Sequence, residues 1–118
     1  MNRKEIFKYV KEKYNTIEEY LWEKYPMYAV LKHSNNKWYG IIVNISKEKL
    51  GLDGKEEIDI LNVKCEPEMI GSLRLMKGFL PAYHMNKEHW ITILLDGSVE
   101  SEKIKQLIDF SYDLTKNR

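Results

Sequence analysis

The side chains best suited to binding chemistry are concentrated in residues 83–90, YHMNKEHW. Lys87 is suited to meet a phosphate or a carboxylate, and Trp90 is suited to stack on a nucleic-acid base. His84 and His89 can supply hydrogen bonds to the same ligand. The alternative is that this stretch forms the turn before the last strand, which His84 and Trp90 hold by packing. That second arrangement is common in small domains, where Trp and His are often well buried.

Metal binding is not expected from the histidine and carboxylate spacing. His84 and His89 are poorly placed for one ion because a turn and a strand separate them, and His33 belongs to another element. A catalytic zinc ion usually needs three preorganised protein ligands. Iron binding would need a clustered acidic ridge, whereas the acidic pairs 18–19 and 56–57 are far apart. We therefore expect neither a metal nor a cofactor.

Nucleophilic catalysis is not expected either. Cys65 is the only cysteine, so an intramolecular disulfide is excluded. It stands just before the helix predicted at Pro67, and such a position can activate a thiol. However, no glycine-rich oxyanion loop accompanies it, and the glycine patterns of nucleotide-binding loops are absent. We expect Cys65 to be a small buried core residue, and we expect the protein to have no catalytic residues.

Length and charge limit the possible functions. The chain has 118 residues, which suits one domain spanning 1–118 with a sizeable core. Nineteen basic and eighteen acidic side chains give a net charge of +1, and no part of the sequence forms a basic block. Nucleic-acid binders usually have such a block, because neutralising phosphates supplies much of their affinity. A DNA-binding function would therefore require a positive face assembled in three dimensions.

No apolar run approaches the ~20 residues of a membrane span. The polar opening MNRKE lacks the pattern of a signal peptide. We therefore expect a cytoplasmic protein without a membrane partner, and we favour a monomer.

Three stretches have helical periodicity. The first helix begins with Asn2 and Glu5 in capping-box spacing, and the second begins at Pro67 and is expected to end at Gly78. The predicted buried stripes are Ile6, Phe7, Val10 and Tyr14; then Met69, Ile70, Leu73 and Met76; then Ile104, Leu107, Ile108, Ser111 and Thr115.

The third helix is expected to have Ser98 or Ser101 as its N-cap. Lys116 and Arg118 would complement the helix dipole at its C-terminal end. Strands are predicted at 27–32, 37–45, 58–63, 79–83 and 89–95. The order α-β-β-β-α-β-β-α indicates an α+β domain with about five antiparallel strands and helices mainly on one face.

Alternation along two strands predicts which side chains share a face. The aliphatic sets, which we expect to face the helices, are Tyr39, Ile41, Val43 and Ile45, and Ile91, Ile93 and Leu95. Trp38 and Trp90 then lie on the less covered face and line one shallow surface, with Lys37 and Lys87 at its rim. The alternative is that a helix, or the N-terminal segment around residues 20–22, covers this surface.

Residues 83–90 also resemble the signature of the MmcQ/YjbR family of small bacterial proteins. The resemblance extends over essentially the whole chain: the opening MNR, KWYG at 37–40, DILNVKCEP at 59–67, ITILLDG at 91–97 and SY at 111–112. It implies a fold likened to bacterial frataxin (CyaY-like) and to type III secretion chaperones. It also implies DNA as the ligand, bound by wing-like hairpins. Through the chaperone likeness, the alternative ligand is a protein or peptide.

We therefore expect a non-enzymatic binding protein. Its predicted binding residues are Lys37, Trp38, His84, Lys87, His89 and Trp90. A DNA binder should gather its cationic side chains on one face, and the candidates for that face are Lys32, Lys37, Lys64, Arg74, Lys77 and Lys87. A protein or peptide binder should instead present an exposed apolar patch.

Overall fold

The computed structural model describes residues 1–116, so the role expected for Arg118 lies outside the described residues. The elements are α1 (Arg3–Tyr14), β1 (Ala29–Lys32), β2 (Trp38–Ser46), a 3-10 turn (Lys47–Leu50), β3 (Glu57–Lys64), α2 (Pro67–Leu73), β4 (Phe79–Pro81), β5 (Trp90–Leu94) and α3 (Ser101–Thr115). Apart from the short 3-10 turn, this is the predicted order.

The five strands form one antiparallel sheet in the order β1-β2-β3-β5-β4. The described helices all pack on one face of it. Their buried side chains in that core are Ile6, Val10, Ile70, Leu73, Ile104, Leu107 and Ile108. The predicted α+β architecture, with helices mainly on one face, is confirmed.

The start of α1 follows its sequence signal closely. The Asn2 side chain accepts a hydrogen bond from the Glu5 amide at 2.9 Å, and the Glu5 carboxylate accepts one from the Asn2 amide at 2.9 Å. These reciprocal bonds satisfy amides that a helix leaves without partners in its first turn. The capping box is therefore confirmed.

The end of α2 was predicted wrongly. The helix ends at Leu73, and hydrogen bonds between residues three apart then tighten the chain, from Leu75 to Ser72 and from Met76 to Leu73. Met76, which was expected in the buried stripe, is 50% exposed. Gly78 belongs to the following turn, with φ at +92°. A β-carbon there would collide with the side chains of Val99 and Ser98. Glycine is therefore required because those side chains pack closely against the turn, and not because it caps the helix.

The start of α3 also differs from the prediction. Its N-cap is Glu100, which makes no side-chain capping hydrogen bond in the described structure. Ser98 instead bonds Asp96 Oδ1 through both its amide, at 3.0 Å, and its hydroxyl, at 2.5 Å. The local turn at Asp96 therefore competes successfully for the serine that could have capped the helix.

A β-bulge at Tyr39 decides which side chains of β2 face the helices. Leu31 lies opposite Gly40 and Lys32 lies opposite Trp38, so Tyr39 is an extra residue in β2. A bulge of this kind interrupts the alternation of faces. Tyr39 and Ile42 consequently both lie in the core on the helix side.

The bulge overturns part of the predicted pattern. Ile41, Val43 and Ile45 lie on the face opposite the helices rather than on the helix side. Trp38 shares that face with them. In β5, by contrast, Ile91 and Ile93 face the helices as predicted.

The second face of the sheet has its own apolar cluster. Its buried members are Val30, Ile41, Val43, Ile45, Ile58, Ile60 and Leu94. Side chains from the segment before β1 and from two loops cover part of it; they include Trp22, Tyr28, Leu50, Leu52 and Tyr83. Apart from the 3-10 turn, no described helix contributes to this cluster. Two cavities lie beside it, and one of them is also lined by Thr115 of α3.

Candidate functional site

The first cavity is a groove between two tryptophans, which we call the tryptophan groove. It encloses about 300 Å³ and is lined by Lys37, Trp38, Lys64, Trp90 and Thr115. Both indole rings are half-buried, so each has an exposed portion that a ligand can reach.

Strand register places a lysine beside each tryptophan. Lys64 of β3 pairs with Trp90 of β5, and Lys32 of β1 pairs with Trp38 of β2. Lys32 is already engaged, because its ammonium lies 3.3 Å from the Glu19 carboxylate. The groove is therefore lined by two tryptophans and by two lysines, Lys37 and Lys64. This combination suits a ligand with both planar and anionic groups.

The second cavity lies on the other side of Trp38, and we call it the aromatic pocket. It encloses about 350 Å³. Its lining residues are Trp22, Tyr25, Tyr28, Trp38, Ile41, Val43, Asn62, Tyr83, His84 and Met85. The two cavities share one ring, that of Trp38.

Contacts between rings fix one wall of the aromatic pocket. Trp22 packs edge to face against Trp38, with centroids 5.9 Å apart, and against Tyr28, also at 5.9 Å. Tyr25 stacks on Tyr28 at 4.7 Å with an angle of 14° between the ring planes. Because each ring is held by another, this wall is preorganised for a ligand.

The part of the pocket formed by Tyr83 and His84 is held by a buried polar pair in the sheet. Asn62 donates from Nδ2 to the Tyr83 carbonyl at 3.0 Å, and the Tyr83 amide donates to Thr92 Oγ1 at 2.9 Å. The Thr92 hydroxyl donates to Asn62 Oδ1, which closes the network. His84 follows with φ at +56°, and its ring stacks on Tyr83 at 4.0 Å. A positive φ costs a residue such as His roughly 1 kcal/mol or more, so the network is needed to hold this loop.

Tyrosines supply most of the titratable groups of the aromatic pocket. Burial raises the pKa of Tyr28 and of Tyr83, and the nearby hydroxyl of Tyr25 acts in the same direction on both. These phenols are therefore hydrogen-bond donors at neutral pH. Within residues 1–116, no Asp, Glu, Lys or Arg lines this pocket.

The structure separates the six residues that were predicted to bind a ligand. Lys37, Trp38 and Trp90 meet in the tryptophan groove, whereas His84 lies in the aromatic pocket. Lys87 and His89 are exposed and line neither cavity. The expected surface between Trp38 and Trp90 therefore exists, but its second lysine is Lys64 rather than Lys87.

The turn before β5 is organised by Asn86. Its side-chain oxygen accepts the Glu88 amide at 2.8 Å, and its carbonyl accepts the Trp90 amide at 2.9 Å. These bonds match the turn that was the alternative interpretation of this stretch. The turn displays Lys87 and His89 to solvent; His84 is exposed as well, but it also lines the aromatic pocket.

The cationic residues do not share a face. Lys37 and Lys64 line the tryptophan groove. Arg74 and Lys77 follow α2, which packs on the opposite side of the sheet. Of the six candidates for a common positive face, Lys37 and Lys64 are the two that line the tryptophan groove in the described chain.

Several lining residues were not predicted. Residues 20–28 contain four aromatic side chains, and this density was the available signal for Tyr25 and Tyr28. Trp22 belongs to the segment 20–22 that is the alternative cover for the surface; it packs on Trp38, but it leaves the groove between Trp38 and Trp90 open. No sequence pattern indicates the role of Asn62, because that role depends on Thr92 across the sheet.

The other reactive groups lie elsewhere. Cys65 is 2% exposed in the core on the helix side, as predicted, and burial raises the pKa of its thiol. His33 Nε2 lies 2.7 Å from Thr115 Oγ1, and burial lowers the pKa of its imidazole. Within the described residues, no three His, Cys, Asp or Glu side chains are grouped so as to hold a metal ion. In the same part of the chain, no helix has both the length and the apolar character to cross a membrane.

Known proteins similar to this one cover nearly its whole length. The YyaQ protein of Bacillus subtilis is 56% identical over 117 residues, which is 98% of this chain and 99% of YyaQ. A crystal structure of a Pseudomonas syringae protein superimposes with a TM-score of 0.95 at 47% identity, covering 98% of this chain and 99% of that one. A Deinococcus radiodurans protein, DR2400, shares the fold, with a TM-score of 0.71 at 24% identity over 94% of this chain and 75% of its own.

The YjbR protein of Escherichia coli K12 is 38% identical over 58 residues, which is 48% of this chain and 49% of YjbR. The family model named YjbR matches residues 11–114. That match includes both tryptophans of the groove and all the lining residues of the aromatic pocket. Since the family model and the full-length relative agree, this chain belongs to the YjbR family.

Proposed function

We propose that the protein is a non-enzymatic binding protein that holds single-stranded DNA in the tryptophan groove. The supporting observation is that Trp38, Trp90, Lys37 and Lys64 line one cavity. Indole rings stack on unpaired bases, and ammonium groups neutralise the phosphates between them. We favour single strands because a base inside a duplex has no free face for an indole ring. Such binding would take place in the cytoplasm.

The charge of the protein implies weak binding. The net charge is only +1, and two lysines line the groove. Each neutralised phosphate of a single strand contributes about 0.7 to the salt dependence, so two contacts predict a slope of about −1.4 in a plot of log K against log salt concentration. A protein with a large basic face would show a much steeper slope.

The test is a titration of fluorescently labelled single-stranded DNA at several salt concentrations. We expect Lys37→Ala/Lys64→Ala to weaken binding at low salt and to bring the slope close to zero, because the variant lacks both phosphate contacts. Fluorescence anisotropy measures both quantities.

The matched control is Lys77→Ala/Lys87→Ala, which removes the same charge from exposed positions outside the groove. We expect it to keep the slope of the unmodified protein. Equal losses in the two double variants would contradict the assigned site, and an absence of DNA binding by the unmodified protein would contradict the function.

A protein or peptide partner is the second candidate function. The observation that favours it is a set of exposed apolar side chains in the segment between α1 and β1. These are Ile17 (65% exposed), Tyr20 (52%), Leu21 (46%), Tyr25 (49%) and Met27 (47%). Exposed apolar groups this close together are typical of interaction surfaces. This candidate replaces the first if the titration detects no DNA binding.

A further inference from the structure

The aromatic pocket is a second site with a chemistry of its own. Two aromatic groups line it: Trp22, Tyr25 and Tyr28 from the segment before β1, and Tyr83 and His84 from the loop before β5. Its volume of about 350 Å³ lies at the lower end of the range for small-molecule sites. Walls of this kind favour a flat, polarisable ligand, because stacked and edge-on ring contacts add to the burial of apolar area.

The absence of charge narrows the ligand further. No Asp, Glu, Lys or Arg of the described chain lines the pocket. A charged ligand group would therefore lose its hydration without gaining an ionic partner, which is costly. The part of the ligand that enters the pocket should be neutral.

Hydroxyl groups supply the polar recognition in the aromatic pocket. Tyr25, Tyr28 and Tyr83 line it, and each phenol O–H can donate one hydrogen bond and accept another. The Asn62 amide is 1% exposed and bonds the Tyr83 carbonyl and the Thr92 hydroxyl, so it positions the loop rather than facing a ligand. Phenol donors suit the ring nitrogens of a heterocycle such as adenine, which accept hydrogen bonds.

We propose that the aromatic pocket binds a neutral, planar nitrogen heterocycle of the nucleobase type. Two sources share this chemistry: a free nucleoside, and an unstacked base of a nucleic-acid strand. The inference goes beyond DNA binding in the tryptophan groove, because a nucleoside can occupy the pocket without any phosphate contact.

The test uses adenosine as the probe and tryptophan fluorescence as the readout, since Trp22 and Trp38 line the pocket. We expect saturable quenching by adenosine. In His84→Gly the ring stacked on Tyr83 is removed, and glycine adopts the φ of +56° without strain, so the variant should remain folded. Losing one stacking ring should weaken adenosine binding roughly 10-fold.

Two controls make the result specific. Tyr20→Ala removes an exposed tyrosine of the same segment that does not line the pocket, and it should bind adenosine like the unmodified protein. Cyclohexanol, a saturated ring that lacks the flat face and the ring nitrogens of adenine, should not compete with adenosine. Competition by cyclohexanol would overturn the inference, because the pocket would then be a general apolar cavity.

An oligonucleotide of adenines distinguishes the two sources. If His84→Gly weakens the binding of adenosine and of the oligonucleotide alike, a base of a strand enters the pocket. If it weakens only adenosine binding, the ligand is a free nucleoside. Adenosine binding without any DNA binding would keep this inference and contradict the proposed function. If adenosine does not bind, or binds equally well to His84→Gly, the inference is wrong whether or not the groove binds DNA.

Discussion

Ser111 is the side chain that holds the tryptophan groove in shape. Its hydroxyl accepts the Lys64 amide at 2.9 Å and donates to the Tyr39 carbonyl at 2.6 Å. These two backbone groups lie just beyond the last paired residues of β2 and β3, Gly40 and Val63. A hydroxyl from α3 therefore bridges β2 and β3 at the point where their ladder ends.

Ser111→Ala removes a single hydroxyl group, but it should destabilise the protein more than the same change at an exposed position. It leaves the buried Tyr39 carbonyl and the Lys64 amide without their partner, and an unsatisfied buried polar group costs roughly 1–3 kcal/mol. We expect a loss of about 2 kcal/mol in the free energy of unfolding, measured by urea denaturation. The control is Ser72→Ala, at an exposed position of α2. Similar losses in the two variants would exclude the bridging role of Ser111.

Asn62 and Thr92 show how residues in the sheet position a loop. They form a buried cross-strand pair between β3 and β5, and together they hold both backbone groups of Tyr83. The aromatic pocket therefore depends on two small polar side chains that neither stack nor carry charge. Their importance follows from cross-strand register, which is not visible in either strand alone.

At the scale of elements, α1 depends on its first turn. Isolated helices of 12 residues are marginal in water, so packing and end effects both contribute to its stability. The apolar stripe of α1 buries Ile6 and Val10 completely, and the capping box satisfies the amide hydrogens of Asn2 and Glu5.

Asn2→Ala should destabilise the protein by about 1 kcal/mol, the usual effect of removing an N-cap. In a domain of this length, the melting temperature should fall by roughly 4 °C, which calorimetry measures. Lys4→Ala, an exposed change in the same turn, is the control and should have little effect. If both variants melt at the same temperature, the capping box does not stabilise α1.

At the scale of the molecule, two carboxylates connect α1 to the rest of the fold. Asp59 of β3 accepts hydrogen bonds from Arg3 Nε at 2.8 Å and Nη2 at 2.9 Å. Asp109 of α3 accepts hydrogen bonds from Lys13 at 2.8 Å and from two tyrosine hydroxyls of α1. Burial alone would raise the pKa of each carboxyl, but these hydrogen bonds outweigh it and lower both pKa values below the ordinary 3.8.

These lowered pKa values predict sensitivity to acid. A carboxyl whose pKa is lower in the folded state stabilises the fold at pH values above its unfolded pKa of 3.8, and the stabilisation is lost as the pH falls through the folded value. We expect Asp59→Asn to lower the free energy of unfolding at neutral pH by roughly 1–3 kcal/mol. The stability of the variant should also depend less on pH in the acid range.

Urea denaturation over a pH series measures both effects. The control is Asp53→Asn, which changes an exposed carboxylate in the loop before β3. It should leave the pH dependence of the unmodified protein intact. Parallel stability curves for Asp59→Asn and the unmodified protein would show that the Arg3 pair does not contribute to acid sensitivity.

The near-neutral charge of the whole chain has a structural counterpart. Seven ion pairs are formed among residues 1–116, including those of Arg3, Lys13, Lys32 and Lys47, so much of the positive charge is locally balanced. Lys37 and Lys64 stand out because they line a cavity with two tryptophans. Any interaction with nucleic acid therefore rests on this local group, as the even charge pattern of the sequence indicated.

The sequence by itself determined the features that depend on neighbouring residues. Asn2 and Glu5 marked the start of α1, the stripe from Ile104 to Thr115 marked the buried face of α3, and strand patterns predicted five antiparallel strands. The family was also evident from residues 83–90. Capping, helical periodicity and alternation act over a few residues, so these features can be recognised without a fold.

Only the tertiary structure decided the faces of β2 and the composition of the site. The bulge at Tyr39 is held by Ser111, which lies 72 residues away, and it moves Ile41, Val43 and Ile45 to the face of Trp38. The aromatic pocket likewise joins side chains from segments around residues 22–28, 38–43, 62 and 83–85. A strand pattern fixes faces only while pairing is regular. One inserted residue reverses them, and the hydrogen bonds that stabilise the insertion come from distant parts of the chain.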